Sequence, residues 1–185
     1  MNGKHMKNLL ISSSIILGLA TFPALANNSK TAGPYAEIAY ETFSESNEDF
    51  ADIDLTFTSL LLGYQVTSST SVEAFYGQGS GSDDVGLMGV SVDVSMGSIY
   101  GVALKTTYDL SENVNAYAKL KYADLEIEAE AMGFGADESD SDLGLSIGLE
   151  FGSNDGFYAT SSFTLWGMES ETTQSGFKIG VGYNF

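Results

Sequence analysis

The last ten residues, 176–185, read Gly-Phe-Lys-Ile-Gly-Val-Gly-Tyr-Asn-Phe, so that large apolar side chains alternate with small or polar ones. The apolar positions are Phe177, Ile179, Val181, Tyr183 and Phe185. A period of two predicts an extended strand with one apolar face. At the edge of a soluble sheet such a strand would promote aggregation. In a closed barrel within lipid, the strand would be paired on both edges and its apolar face would be covered.

The same alternation occurs in seven earlier segments of the chain. They are residues 35–43, 52–66, 71–79, 90–110, 114–130, 142–151 and 157–166. Long gaps alternate with short ones; the long gaps are 44–51, 77–89, 131–141 and 167–175, and the short ones are 67–70, 109–113 and 152–156. An even number of strands joined by alternating short turns and longer loops is typical of outer-membrane barrels. The sequence therefore predicts an all-β, eight-stranded antiparallel up-and-down transmembrane β-barrel.

Aromatic residues lie near the ends of these segments that meet the short turns. They are Tyr64, Tyr108, Phe151, Tyr183 and Phe185. Aromatic side chains favour the interface between membrane and water, so they predict a girdle at the inner, periplasmic end of the barrel.

Two segments change the phase of their alternation. Leu55 lies on the opposite register from Leu60, and Leu125 on the opposite register from Leu120. A one-residue slip turns every later side chain to the other face. We therefore expect a β-bulge in residues 58–60 and another in residues 122–124, marking the outer membrane boundary, above which the barrel projects as a ribbon.

The N-terminal residues have the pattern of a secretory signal. Lys4 and Lys7 precede an apolar stretch, 9–19, and Ala24-Leu25-Ala26 is a small-x-small cleavage site. We expect a signal peptide over residues 1–26 and a barrel domain over 27–185. A retained membrane anchor is the alternative, although the stretch is short for a spanning helix. Translation could start at Met1 or at Met6.

The composition excludes several functions. Acidic residues number 25 against seven basic ones, all lysine, and nucleic-acid binding needs a basic surface. The chain has no cysteine, and its one histidine, His5, lies in the signal segment. A Cys nucleophile and the usual base of a Ser-His-acid site are therefore missing. The Ser-x-x-Lys match at Ser175 and Lys178 lies in a predicted strand without companion motifs. We predict no enzymatic activity, no metal site and no cofactor.

Seven charged residues on the polar strand faces are expected to point into the barrel. They are Glu37, Glu73, Lys105, Lys119, Lys121, Glu150 and Lys178. An eight-stranded barrel has an interior only wide enough for side chains, and isolated buried charges are costly. We expect Lys178 near Glu37 or Glu41. Two interpretations stay open: a structural ion-pair network, or a charged plug that rearranges and passes small ions.

The long gaps are rich in acidic residues. The acidic residues in or beside these gaps are Glu45, Glu48, Asp49, Asp52, Asp83, Asp84, Asp93, Glu126, Glu128, Glu130, Asp137, Glu138, Asp140 and Asp142. Carboxylate clusters can hold divalent cations, but no stretch has the spacing of an EF-hand loop. A solvated, repulsive loop surface is the simpler interpretation, and a cation-bridged contact with lipopolysaccharide is the alternative.

The signal-like start, the eight alternating segments and the aromatic-terminated last strand resemble small outer-membrane barrels of the OmpA/OmpX type. The resemblance covers residues 27–185 and implies a place in the outer membrane of a Gram-negative bacterium, in contact with its lipid and lipopolysaccharide. It also implies that the closing strand is the signal read by the barrel-assembly machinery. Enzymes among such small barrels rely on histidine, which residues 27–185 lack. A soluble periplasmic sandwich or lipocalin-like barrel is the alternative fold.

These observations together predict a monomeric, non-enzymatic outer-membrane protein with a structural or surface-interaction role, acidic extracellular loops and a lumen filled by side chains. The alternative is a narrow, ion-conducting, porin-like channel. The two differ in whether the pure protein carries current across a planar bilayer.

Overall fold

The fold is that of a computed structural model, which describes residues 32–45, 53–80, 82–87, 90–131, 134–152, 156–167 and 174–185. These residues form nine strands: β1 Pro34–Glu45, β2 Ile53–Gln65, β3 Thr70–Gly79, β4 Ser82–Leu87, β5 Val90–Ser111, β6 Val114–Ala131, β7 Phe134–Gly152, β8 Gly156–Trp166 and β9 Gln174–Asn184. No helix in the described part of the chain is long and apolar enough to cross a membrane.

The strands form one closed antiparallel sheet. Its order is β3-β2-β1-β9-β8-β7-β6-β5-β4, and β3 also pairs with β5. Strand β4 shares its place in the wall with β3, because β3 pairs with the second half of β5 and β4 with the first half. The wall therefore has eight positions, and the predicted eight-stranded up-and-down barrel is confirmed. We call the end with Pro34 and Asn184 the terminal end, and the other the far end.

The outer wall carries a continuous belt of apolar side chains, which we call the apolar belt. At the terminal end, Tyr64, Tyr108, Phe151, Tyr183 and Phe185 all point outward. Toward the far end, the belt finishes with outward tyrosines at Tyr40, Tyr76, Tyr100 and Tyr122. Aromatic side chains thus flank an apolar zone on both sides, which is the arrangement of a barrel in a bilayer.

The two bulges predicted from the phase changes are absent. The register between β1 and β2 is unbroken through Thr58, and the register between β6 and β7 is unbroken through Tyr122. Leu55 and Leu125 therefore stay on the inward face and are buried. The prediction was wrong because it assumed a polar lumen throughout, whereas the lumen itself becomes apolar toward the far end.

A bulge does occur at this height, but on β5. Met96 pairs with Ile127 and Ile99 pairs with Leu125. Gly97 and Ser98 therefore both lie opposite a single residue of β6, Glu126. Such an extra residue increases the local twist and bend of a strand, and here it lies where β5 leaves the apolar belt.

Two of the predicted long gaps are largely strand. Residues 82–87 form β4 inside the expected gap 77–89, and β7 begins at Phe134 inside the expected gap 131–141. Most of the acidic residues in or beside the predicted loops therefore lie in paired strands; Glu48, Asp49 and Asp52 lie outside the described residues. An apolar period could not reveal these strands, because their sequences, rich in acidic residues and glycine, contain few large apolar residues. The acidic residues that the structure describes at the far end thus lie mainly in sheet.

Every inward aromatic residue with a described side chain faces a glycine on the neighbouring strand. The register pairs are Tyr35–Gly63, Phe43–Gly176, Phe57–Gly79, Phe75–Gly101, Tyr117–Gly148, Tyr158–Gly182 and Trp166–Gly144. At Gly63, an added Cβ would lie 2.1 Å from the Tyr35 ring, and at Gly182 2.2 Å from the Tyr158 ring. The glycines opposite Tyr35, Phe75, Tyr117, Tyr158 and Trp166 therefore give these rings room to lie against the wall of a narrow barrel.

Candidate functional site: the lumen and the projecting sheet

Four lysines and four glutamates pair one to one inside the barrel. Lys105 Nζ lies 2.6 Å from Glu150 Oε2, Lys119 Nζ lies 2.7 Å from Glu73 Oε2, and Lys121 Nζ lies 3.4 Å from Glu41 Oε2. Lys178 pairs with Glu37. All eight side chains are buried. The four pairs carry no net charge, which is what a confined interior requires.

The pairs join strands at different distances around the wall. Lys178 and Glu37 lie on adjacent strands, β9 and β1. Lys121 on β6 and Glu41 on β1 are four wall positions apart, so this pair crosses the full lumen. The network therefore fills the cross-section of the lumen as well as lining its wall.

Neutral donors hold the glutamates in place. The Tyr35 hydroxyl donates to Glu73 Oε1 at 2.6 Å, and the Ser59 hydroxyl donates to Glu41 Oε1 at 2.9 Å. The Asn115 amide donates to Glu150 Oε1 at 3.3 Å. Hydrogen bonds to the remaining carboxylate oxygens are what make a buried ion pair tolerable.

Aromatic faces supply further partners for the lysines. Lys105 Nζ lies 4.9 Å from the ring centre of Tyr117. Lys121 Nζ lies 5.2 Å from the ring centre of Trp166 and 5.5 Å from that of Phe75. These are cation–π distances, and such contacts gain strength when water is excluded.

Beyond Lys121 the lumen is closed by an apolar cap at the far end. We define the apolar cap as Phe43, Leu55, Phe57, Ile99 and Leu125, each no more than 5% exposed. Two of these cap residues, Leu55 and Leu125, are the ones that change the phase of the sequence pattern. A tightly packed apolar constriction opposes both wetting and ion passage.

The alternation of the sequence predicts which charged side chains point inward, but it does not predict several of their partners. The sequence placed Glu41 near Lys178, whereas the structure pairs it with Lys121. The sequence analysis also did not predict the aromatic residues that contact the lysines. A usable signal was present: each of those rings lies on the inward phase of its strand, together with the charged residues. Of the five residues proposed as an assembly signal, Phe177, Ile179, Val181 and Tyr183 lie on the outer face of β9 and Phe185 directly follows the strand; all five are exposed in the apolar belt.

The second feature is a sheet that projects past the apolar belt at the far end. We define the projecting sheet as β4 with residues 90–98, 124–131 and 134–142. On β6, nine residues follow Tyr122 before the strand ends at Ala131, about 30 Å of strand at ~3.3 Å per residue. Residues 122–177 contain no lysine or arginine, so β6 and β7 carry only negative side-chain charge in this sheet.

The outward side of the projecting sheet is held by short polar contacts. The Ser98 hydroxyl donates to Glu126 Oε2 at 2.9 Å, and the Ser141 hydroxyl donates to Asp124. Within the described ranges, no group of three or more His, Cys, Asp or Glu side chains is arranged to hold a metal ion.

Comparison with known proteins agrees with this architecture. A family model described as the outer membrane protein beta-barrel domain matches residues 12–185. The chain therefore belongs to the outer-membrane β-barrel family, whose members reside in the outer membrane. No curated protein sequence matches the chain significantly.

Solved structures show the same fold at low sequence identity. Neisserial surface protein A (NspA) is 11% identical with a TM-score of 0.66, and the alignment covers 84% of this chain and 99% of that one. Ail, the attachment invasion locus protein of Yersinia pestis, is 16% identical with a TM-score of 0.61, covering 84% and 100%. The N-terminal β-barrel domain of Pseudomonas aeruginosa OprF is 16% identical with a TM-score of 0.53, also covering 84% and 100%. At such identities the likeness concerns the fold.

Proposed function

We propose that this protein is a non-enzymatic surface barrel that presents its projecting sheet to the exterior of the cell. The observation that carries the proposal is that the lumen is filled with side chains while three strands extend past the apolar belt. The lumen is filled by neutral ion pairs and the apolar cap, whereas β5, β6 and β7 continue well past the belt. Among the described residues, the projecting sheet is therefore the part placed to meet molecules outside the membrane.

The proposal also covers the export of the protein, its assembly and its location. Residues 1–26 act as a cleaved signal peptide, the closing strand is read by the barrel-assembly machinery, and the mature barrel is a monomer among outer-membrane lipid and lipopolysaccharide. The terminal end faces the periplasm. Short turns at that end, such as the turn at Glu112 and Asn113, support this orientation.

Cysteine labelling tests the orientation, because the chain has no cysteine of its own. Ser139→Cys places a thiol on the exposed edge of the projecting sheet, and Glu112→Cys places one in a turn at the terminal end. On intact cells, a membrane-impermeant maleimide is expected to label Ser139→Cys, while Glu112→Cys reacts only after lysis. The reverse pattern would refute the proposed orientation.

The channel alternative has less support from the contacts in the lumen. An open path would need gaps between side chains, yet each lysine of the network contacts its glutamate and the cap residues are buried. We expect pure protein in planar bilayers to give no steady current above the lipid background. A reproducible unitary current from the wild-type barrel would favour the channel.

A further inference from the structure

The junction of β1 with β9 differs from the other described junctions of the wall, and we call it the seam. It joins the first described strand to the last, with register pairs that run from Tyr35–Asn184 to Glu45–Gln174. The other junctions join consecutive strands, or in one case β3 and β5. Those junctions can form one hairpin after another, whereas the seam needs the two ends of the sheet to be brought together. We therefore expect the seam to form last.

One of the four ion pairs described in the lumen lies across the seam. Lys178 on β9 pairs with Glu37 on β1, and both side chains are buried. The two residues are 141 positions apart in the sequence. In a sheet whose seam is open, they lie at opposite edges. This pair therefore cannot form before the barrel closes.

Two other pairs do not depend on the seam. Lys119 and Glu73 lie on β6 and β3, and Lys105 and Glu150 lie on β5 and β7. In each case β5 or β6 alone separates the two partners in the wall. Both pairs can form while the first and last strands are still apart. They are also buried, so they provide a comparison for the pair at the seam.

The two edges that meet at the seam carry opposite charges on their inward faces. The β1 edge presents Glu37 and Glu41, and the β9 edge presents Lys178, whose register partner across the seam is Glu41. On its other side, Lys178 has the neutral Ser162 of β8 as register partner. A shift of two residues would place an alanine or a phenylalanine of β1 opposite the lysine. Opposite charges therefore attract the two edges and favour the observed register.

We propose that Lys178 and Glu37 form a closure latch, an ion pair that forms as β1 meets β9 and commits the chain to the closed barrel. While the seam is open, each residue is a charge without this partner on the inner side of the sheet. Burying such charges singly is costly, and pairing them removes the cost for both. In the cell, formation of the latch triggers release from the assembly machinery; this second part rests on the proposed assembly route.

Cysteine pairs can report the seam and a hairpin separately, because the chain has no cysteine of its own. Ile38→Cys with Val181→Cys places thiols on register partners across the seam, and Leu149→Cys with Ser161→Cys does so between β7 and β8. All four positions lie on the outer face, away from the ion pairs. Urea-unfolded protein is diluted into lipid vesicles, and each pair is cross-linked with a short bismaleimide at successive times.

Loss of the latch should delay the seam and leave the hairpin unchanged. In Lys178→Met or Glu37→Gln, we expect seam cross-linking to appear at least fivefold more slowly, while hairpin cross-linking changes less than twofold. The double variant leaves neither charge unpaired and should close at least twofold faster than either single variant. The matched control Lys105→Met also breaks a buried pair and should change the rate of seam cross-linking less than twofold.

Each vesicle result has a defined meaning. A seam that never cross-links while the hairpin does would support the latch. An unchanged seam rate in both single variants, or an equal delay in Lys105→Met, would overturn the inference. An equal delay of the hairpin would show a general folding defect and would overturn it as well.

Cells test the release step separately. Glu37→Gln leaves the sequence of the closing strand intact, so any retention is not a loss of the proposed assembly signal. We expect at least threefold more of the newly exported Glu37→Gln protein than of wild type or Lys105→Met to co-purify with the assembly machinery. Equal amounts would overturn the release step. The vesicles contain no assembly machinery, so failure of the proposed assembly route leaves the vesicle result unaffected.

Discussion

Replacing Lys119 by methionine should cause one of the largest losses of stability that a single substitution in this barrel can produce. Lys119 is 1% exposed, and its partner Glu73 is 4% exposed. The substitution leaves the Glu73 carboxylate buried with the Tyr35 hydroxyl but without its cation. Removing one member of a buried ion pair typically costs about 3–5 kcal/mol.

The double variant Lys119→Met with Glu73→Gln should recover most of that loss. It removes both charges and keeps an oxygen that can accept from Tyr35. Replacing a complete buried pair by neutral groups is often close to neutral in free energy. We therefore expect the double variant to be more stable than Lys119→Met by at least about 2 kcal/mol.

Urea unfolding of the barrel in lipid vesicles measures these differences. The only tryptophan, Trp166, is buried in the lumen and reports loss of the folded state by fluorescence. Leu120→Met is the matched control, since it changes the next residue of the same strand on the lipid-facing side and should shift stability by less than about 1 kcal/mol. A double variant no more stable than Lys119→Met would refute the reasoning, because the uncompensated charge would then not be the source of the loss.

Three further substitutions test the packing of the barrel, the seal of its lumen and the proposed assembly signal. Gly182→Ala should destabilise the barrel by about 1–3 kcal/mol in the same urea assay because its Cβ would meet the Tyr158 ring and the Ala36 carbonyl oxygen; adding Tyr158→Ala should remove the first of these clashes, so the two losses should be less than additive, and an additive loss would contradict the reasoning. Phe57→Ala should cost about 3–5 kcal/mol yet give no steady bilayer current, since the ion pairs still fill the lumen; current would show that the apolar cap is the main seal. Phe185→Ala should lower the assembled fraction in cells but not refolding in detergent, whereas Phe157→Ala, at the same aromatic rim, should affect neither; equal defects would remove the proposed assembly signal.

The fold could be predicted from the sequence because one physical rule acts on every strand where it crosses the apolar belt. A strand between lipid and a narrow lumen must alternate, so residues 157–166 and 176–185 could be read directly. The same alternation predicts which charged side chains point into the lumen. Lys178 faces the lumen because it occupies the phase opposite Ile179, and Glu37 does so because it lies opposite Ile38.

The rule did not hold where the surroundings change along a strand. Above Lys121 the lumen is apolar and the outer wall is polar, so Leu125 and Asp124 exchange the roles that Leu120 and Lys121 have lower down. The apolar alternation in the sequence therefore changes phase, although the register between the strands is unbroken. Strand β4 and the first residues of β7 were missed for a related reason: their acidic and small residues provide no apolar period.

The pairing of inward rings with glycines has a consequence for the fidelity of folding. Alternation alone rejects a slip of one residue between neighbouring strands, but it accepts a slip of two, which leaves every side chain on its proper face. After a two-residue slip, Tyr35 would lie opposite Leu61 or Gln65 instead of Gly63, and Trp166 opposite Ser146 or Asp142 instead of Gly144. The ring would then meet a side chain where it now meets open space. The glycines thus discriminate between registers that hydrophobicity cannot tell apart, and they do so at several heights around the barrel.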